Sequence, residues 1–144
     1  MVPGEPKNYT LRADLHRGTL VIYLGGQLTL DNANDLNRGI LTSIPRNDPF
    51  LVLDLSEVSY ADSSGLSLLF SVQSKVVRAG GRMAMTGLHG HLREVMSVSN
   101  YYAVFAVSET LDAAVDFIEA EKKSHYMRET DGPGDSGNAG TRDA

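Results

Sequence analysis

Residues 50–66 read FLVLDLSEVSYADSSGL: an apolar run, a polar stretch, then two serines and a glycine at the entrance to a new pattern. Phe50 to Leu55 has the length and continuity of a strand in the middle of a sheet, because a half-exposed strand would alternate. From Ser63 or Ser64 the period changes. Leu66, Leu69, Phe70, Gln73, Val76 and Val77 fall on one side of a helix, and Gly80-Gly81 is its stop signal. A buried strand feeding directly into a helix is the first half of a β-α-β unit.

The same alternation extends in both directions. Upstream, Leu36, Ile40, Leu41 and Ile44, preceded by Ala33, have helical spacing, with Asp31 as a plausible cap and Pro45 and Pro49 bracketing the exit. Before that, Thr10 to His16 alternates, with Leu11, Ala13 and Leu15 on one face. Arg17-Gly18 turns the chain and Thr19 to Leu24 runs back, which predicts an antiparallel hairpin. Downstream, Arg82 to Thr86 reads as a strand, His91 to Val98 as a short helix and Val104 to Val107 as a last strand. Ser108 or Thr110 then caps a helix through Leu111, Ala114, Val115 and Ile118. The expected fold is a single α/β domain: a mixed, mostly parallel five-stranded sheet with about four helices, the opening strand at or near an edge.

The chain has 144 residues, which is one ordinary domain. Its 13 Lys+Arg against 18 Asp+Glu give a net charge of −5, an unsuitable balance for a nucleic-acid backbone. With no cysteine, disulfides, thiolate metal sites and a cysteine nucleophile are excluded. Met1 to Lys7 lacks the basic and apolar regions of a secretory signal, and no apolar stretch reaches the roughly 18 residues of a membrane span. The expectation is a cytoplasmic protein without membrane insertion or direct contact with nucleic acid. From Glu129 onward there is no aliphatic residue larger than alanine, and acidic residues outnumber the lone Arg142. The folded domain is therefore expected over residues 8–123, with a flexible tail over 124–144.

Chemistry is most plausible where Asp62-Ser63-Ser64-Gly65 follows the central strand, since open α/β sheets present their functional groups at the carboxyl ends of strands. Ser63 falls at a helix N-terminus, where unpaired amides and the helix dipole favour an anion such as a phosphate. Gly65, without a side chain, would let a partner approach the hydroxyl. The same four residues are also ordinary helix-capping residues, and on the residues alone both readings stand.

Residues 54–66, DLSEVSYADSSGL, further resemble the signature of the STAS domain in anti-sigma factor antagonists. The resemblance runs in order through Gly80-Gly81, the following strand and Leu111 to Val115, covering roughly residues 10–120. It implies a non-enzymatic switch in transcription regulation by partner switching. Ser63, the first serine of the motif, would be phosphorylated by a cognate anti-sigma factor, itself a serine kinase. The unphosphorylated form would bind that kinase and free a sigma factor, the phosphoprotein would be released, and a metal-dependent serine phosphatase would reset it. The partner surface implied comprises Asp62, Ser63, Ser64 and Gly65 with the loop holding Gln27, Thr29 and Asp31. No cofactor or metal is implied.

One departure bears on partners. The family commonly has Gly-Glu-Leu-Asp where this chain has Gly26-Gln27-Leu28-Thr29, so two carboxylates are replaced by neutral groups and Asp31 lies two positions on. Either the partner differs accordingly, or the kinase interaction is weak, or Thr29 only helps to cap the next helix. That loss also supports an alternative: a STAS scaffold in a larger regulatory or transport-associated assembly without sigma-factor control. Elsewhere, His89-Gly90-His91 reads as a loop entering a helix rather than as metal ligands. No phosphate-binding glycine fingerprint or hydrolase elbow is present. Tyr101-Tyr102 reads as turn packing.

Overall fold

Arg17 and Gly18 have positive φ, 55° and 82°, the backbone of a two-residue turn whose twist matches that of the strands it joins. The turn sets an antiparallel hairpin of β1 (Tyr9–His16) and β2 (Thr19–Leu28). The computed structural model describes residues 8–98, 100 and 103–131. Tyr101-Tyr102 and the tail beyond Asp131 lie outside the described residues.

After the hairpin come α1 (Leu30–Ser43), β3 (Phe50–Ala61), α2 (Ser63–Arg78), β4 (Arg82–Thr86), α3 (Gly90–Val98), β5 (Ala106–Ser108) and α4 (Leu111–Asp131). The five strands form one sheet in the order β1-β2-β3-β4-β5, with every pair after the hairpin parallel. The expected class and the edge position of the first strand are both observed.

Side-chain alternation along the inner strands divides the core in two. Ile22, Leu51, Leu53, Met83 and Met85 face Leu36, Leu69, Val72 and Met96 of the first three helices. Val21, Val52 and Ala84 face Ala114, Val115 and Ile118 of α4. Residues 50–55 are apolar throughout, apart from Asp54, because β3 is covered on both sides.

Several boundaries differ from the sequence expectation, each for a local reason. β2 continues past Gly25-Gly26 with irregular register beside β3, Gly26 adopting φ +82°. β3 continues through its polar stretch to Ala61 because only β2 flanks it there; β4 ends opposite Asp54. Ser56, Glu57, Ser59 and Tyr60 are exposed and gave no apolar signal. The last strand is shifted onto Ala106–Ser108, while Val104 is exposed and its carbonyl accepts from Gln73 Nε2 at 2.9 Å. α4 passes the expected boundary at residue 123 and stays helical to Asp131. The His125 and Tyr126 rings lie 5.6 and 6.4 Å from that of Phe50, which supplies the extra turns with a contact.

The opening strand is the other correction. Of the expected face, Leu11 packs against the core, but Ala13 is exposed and Leu15 is 67% exposed. The hairpin tip makes polar contacts instead: Arg17 pairs with Asp116 and Glu119 at 2.5 and 3.1 Å, and His16 Nε2 lies 2.8 Å from Asp112 Oδ1.

Candidate functional site

β2 and β3 end side by side, Leu28 opposite Ala61, and each passes straight into a helix. Thr29 is the N-cap of α1 and Asp62 the N-cap of α2, both with extended backbone. Asp62 serves both ends. Its Oδ1 accepts the Gly65 N–H at 3.0 Å and its Oδ2 accepts the Leu30 N–H at 3.2 Å. Its own N–H donates to the Leu28 carbonyl at 3.0 Å. The Gly65 amide foremost, helped by those of Leu30 and Ser64, favours the charged form and holds the Asp62 carboxyl below its usual range despite some desolvation.

Ser63 is the first residue of α2 and is exposed, Ser64 is half-buried, and Gly65 is buried. A Cβ at position 65 would lie 2.3 Å from the Leu28 carbonyl oxygen and 2.7 Å from Leu28 Cβ. The glycine is therefore required by the contact between α2 and the end of β2. The expectation from sequence gave this glycine another role, letting a partner approach the Ser63 hydroxyl; the structure shows a buried packing position. The anion-binding expectation also changes. Because Asp62 already takes the Gly65 amide, a phosphoryl group on Ser63 would meet a like charge at the same helix end. Both carboxylate oxygens of Asp62 are engaged by backbone amides, Oδ1 by Gly65 and Oδ2 by Leu30.

Gln27 is exposed opposite Tyr60 of β3, one strand from Asp62. The Thr29 N–H donates to Asn32 Oδ1 at 3.0 Å, one half of a capping box. Thr29 Oγ1 is buried and has no hydrogen-bond partner among the described residues. Asn32 is buried and also donates through Nδ2 to Asn8 Oδ1 at 2.8 Å and to the Gln27 carbonyl at 2.7 Å. Asp31 is exposed in the first turn of α1 and is not its cap, because the helix already begins at Leu30.

Between α1 and α2 lies an open groove of about 340 Å³, its walls carrying Leu30, Asn34, Asn37, Ser63, Ser64 and Ser67. Leu30 is 73% exposed at its rim, and Asn37 Oδ1 is buried with no hydrogen-bond partner among the described residues. The structure thus brings Asp62, Ser63, Ser64 and Gly65 to the strand ends beside Gln27 and Thr29; of the residues expected from sequence, Ser63 and Ser64 line the groove, and Gln27, Thr29, Asp31, Asp62 and Gly65 do not. Sequence reasoning missed Leu30, Asn32, Asn34, Asn37 and Ser67. Two signals were available: Thr29-x-x-Asn32 has capping-box spacing, and Ser63, Ser67 and Ser71 repeat every fourth residue along one helix face. His89 and His91 are exposed where the chain enters α3, and the His91 ring stacks on Tyr60 at 5.4 Å.

A family model, the STAS domain, matches residues 10–114. The chain is 28% identical over 104 residues to BtrV of Bordetella bronchiseptica, named as a candidate anti-sigma factor antagonist, spanning 72% of this chain and 90% of that protein. Its fold is similar to the crystal structure of an anti-sigma factor antagonist from Mycobacterium paratuberculosis, with a TM-score of 0.70, 24% identity, and 80% of this chain and 97% of the other covered. It is likewise similar to the anti-sigma factor antagonist SpoIIAA in its unphosphorylated form, with a TM-score of 0.63, 21% identity, and 77% and 97% of the two chains covered. SpoIIAA has also been solved in a phosphorylated form, similar here with a TM-score of 0.57, 22% identity, and 76% and 99% covered. Among the described residues no helix is long and apolar enough to cross a membrane.

Proposed function

The chain belongs to the STAS domain family, and from that premise we propose that it is an anti-sigma factor antagonist switched by phosphorylation of Ser63. Unphosphorylated, it binds a cognate anti-sigma serine kinase in the cytoplasm and so frees a sigma factor. Phosphorylated, it is released until a metal-dependent serine phosphatase restores the hydroxyl. The chain contributes no catalysis of its own.

One observation carries the reading. Ser63 presents an exposed hydroxyl at the mouth of the groove between α1 and α2, on a helix start that Asp62 pins in place. An acceptor for another protein's kinase site must be accessible and preorganised but need not be activated, and Ser63 meets each condition. Phosphorylation adds roughly −1.5 to −2 charges at that mouth. A partner surface shaped around a neutral hydroxyl and the exposed Leu30 would then have to bury that charge unpaired.

The test is a calorimetric titration of the cognate kinase with unphosphorylated and Ser63-phosphorylated protein. The unphosphorylated form should bind and the phosphorylated form should not. Equal affinities would remove phosphorylation as the switch.

A further inference from the structure

The outer edge of the sheet has an order that the Ser63 site does not use. β1 is a terminal strand of the sheet, and residues 11–15 read Leu-Arg-Ala-Asp-Leu. Hydrogen-bond phase follows from the turn. A two-residue loop makes His16 and Thr19 a mutually bonded pair, and the phase alternates from there. At the far end the Gln27 N–H donates to the Asn8 carbonyl at 2.9 Å, which fits that phase. The even-numbered residues of β1 therefore bond to β2. The N–H and C=O groups of Leu11, Ala13 and Leu15 point outward from the sheet. The Leu15 N–H reaches no strand; Asp14 Oδ1 accepts it at 2.8 Å.

We propose that β1 is a self-pairing edge, and that two copies of this chain join antiparallel about a two-fold axis at Ala13 into one continuous ten-stranded sheet. In that register Ala13 faces Ala13, Arg12 of each copy faces Asp14 of the other, and Leu11 faces Leu15. The pairing is isologous, as a two-fold requires. The outward groups of Leu11, Ala13 and Leu15 become bonded pairs. The Arg12–Asp14 pairs occupy the closer, non-bonded positions, where opposite charges interact best.

Three observations point to a second copy as the occupant. The charges are self-complementary: Arg12 and Asp14 lie on one face, already 3.4 Å apart within a strand, with Arg12 held over the Tyr23 ring at 4.0 Å. Leu15 is 67% exposed on the other face. Pairing would set it against Leu11 of the second copy, beside an open hollow of that copy lined by Leu11, Asp35, Arg38 and Gly39. An edge built only to repel neighbours would carry one sign of charge or a proline; this one carries opposite charges placed symmetrically about Ala13. The bond from Asp14 to the Leu15 N–H covers the edge in the monomer and is exchanged for the Arg12 contact on pairing.

Sedimentation velocity of the wild type from micromolar to millimolar concentration should show mass rising from 15.6 kDa towards twice that value. Asp14→Arg and Arg12→Asp each place like charges opposite one another and should stay monomeric, with circular dichroism unchanged. Mixed in equal amounts, the two variants restore opposite charges at every facing position and should form a heterodimer. A wild type that remains monomeric throughout would overturn the proposal. So would a dimer that both single variants retain, or folded variants that fail to associate on mixing.

Discussion

The backbone N–H of Leu30 donates to Asp62 Oδ2 at 3.2 Å, so the carboxylate that caps α2 also holds the start of α1, 32 residues earlier. That one side chain ties together the starts of the two helices that border the groove. Asp62→Ala should lower the unfolding midpoint in urea and weaken kinase binding together, because both helix starts lose an acceptor. A variant with unchanged midpoint would show that the shared cap contributes nothing.

The same carboxyl makes a pH prediction with a definite sign. Its folded-state pKa lies below the ordinary carboxylate value, chiefly through the Gly65 amide. The stabilisation is therefore present above the unfolded-state pKa and is lost as pH falls through the lower folded-state value. Wild type and Asp62→Asn should differ in the slope of stability against pH below about pH 4. Parallel curves would contradict the assignment.

Gly65→Ala should destabilise the fold by about 1–3 kcal/mol, since the new Cβ would press on the Leu28 backbone rather than on a side chain that can move. Denaturant unfolding measures it. Stability equal to wild type would mean that α2 does not approach β2 as described.

Ser63→Asp should leave the melting temperature nearly unchanged, because residue 63 is exposed and the cap belongs to Asp62. Its affinity for the kinase should fall on the order of 100-fold, the cost of burying an unpaired charge. Ser63→Ala should bind as wild type does. If Ser63→Ala alone unfolds the domain, the serine is structural.

Gln27→Glu combined with Thr29→Asp should redistribute affinity across a panel of anti-sigma kinases, measured by titration calorimetry. Gln27 is exposed one strand from Asp62 and Thr29 is the cap of α1, so both charges would enter the same end of the sheet. A basic partner surface gains a counterpart, and one built for neutral groups loses. Identical profiles would mean that these positions do not choose the partner.

The fold class and the edge place of the first strand were legible because the buried strands announce themselves: residues 50–55 and 82–86 are largely apolar where they cross the core, and Gly80-Gly81 marks the exit of α2. What failed lies where tertiary contact overrides pattern. The end of β3 keeps only Val58 and Ala61 in the core, and its exposed residues are mostly polar. Leu15 alternates like a core residue yet is left exposed near the hairpin tip. At the site, Ser63 could be read from its motif, but Gly65 could not be assigned its packing role, because the Leu28 carbonyl it meets is 37 residues away in the chain. Asn32 was hidden for a related reason: a buried asparagine joining Asn8, Gln27 and Thr29 leaves only a weak capping pattern in sequence.

The central claim rests on one hydroxyl, and phosphopeptide mapping after incubation with the cognate anti-sigma kinase and ATP tests it most directly. The account predicts a single addition of about 80 Da, the mass of one phosphoryl group, located on Ser63 and absent from Ser63→Ala. Phosphate on Ser64 or elsewhere in the chain, or none while the kinase remains active, would contradict it.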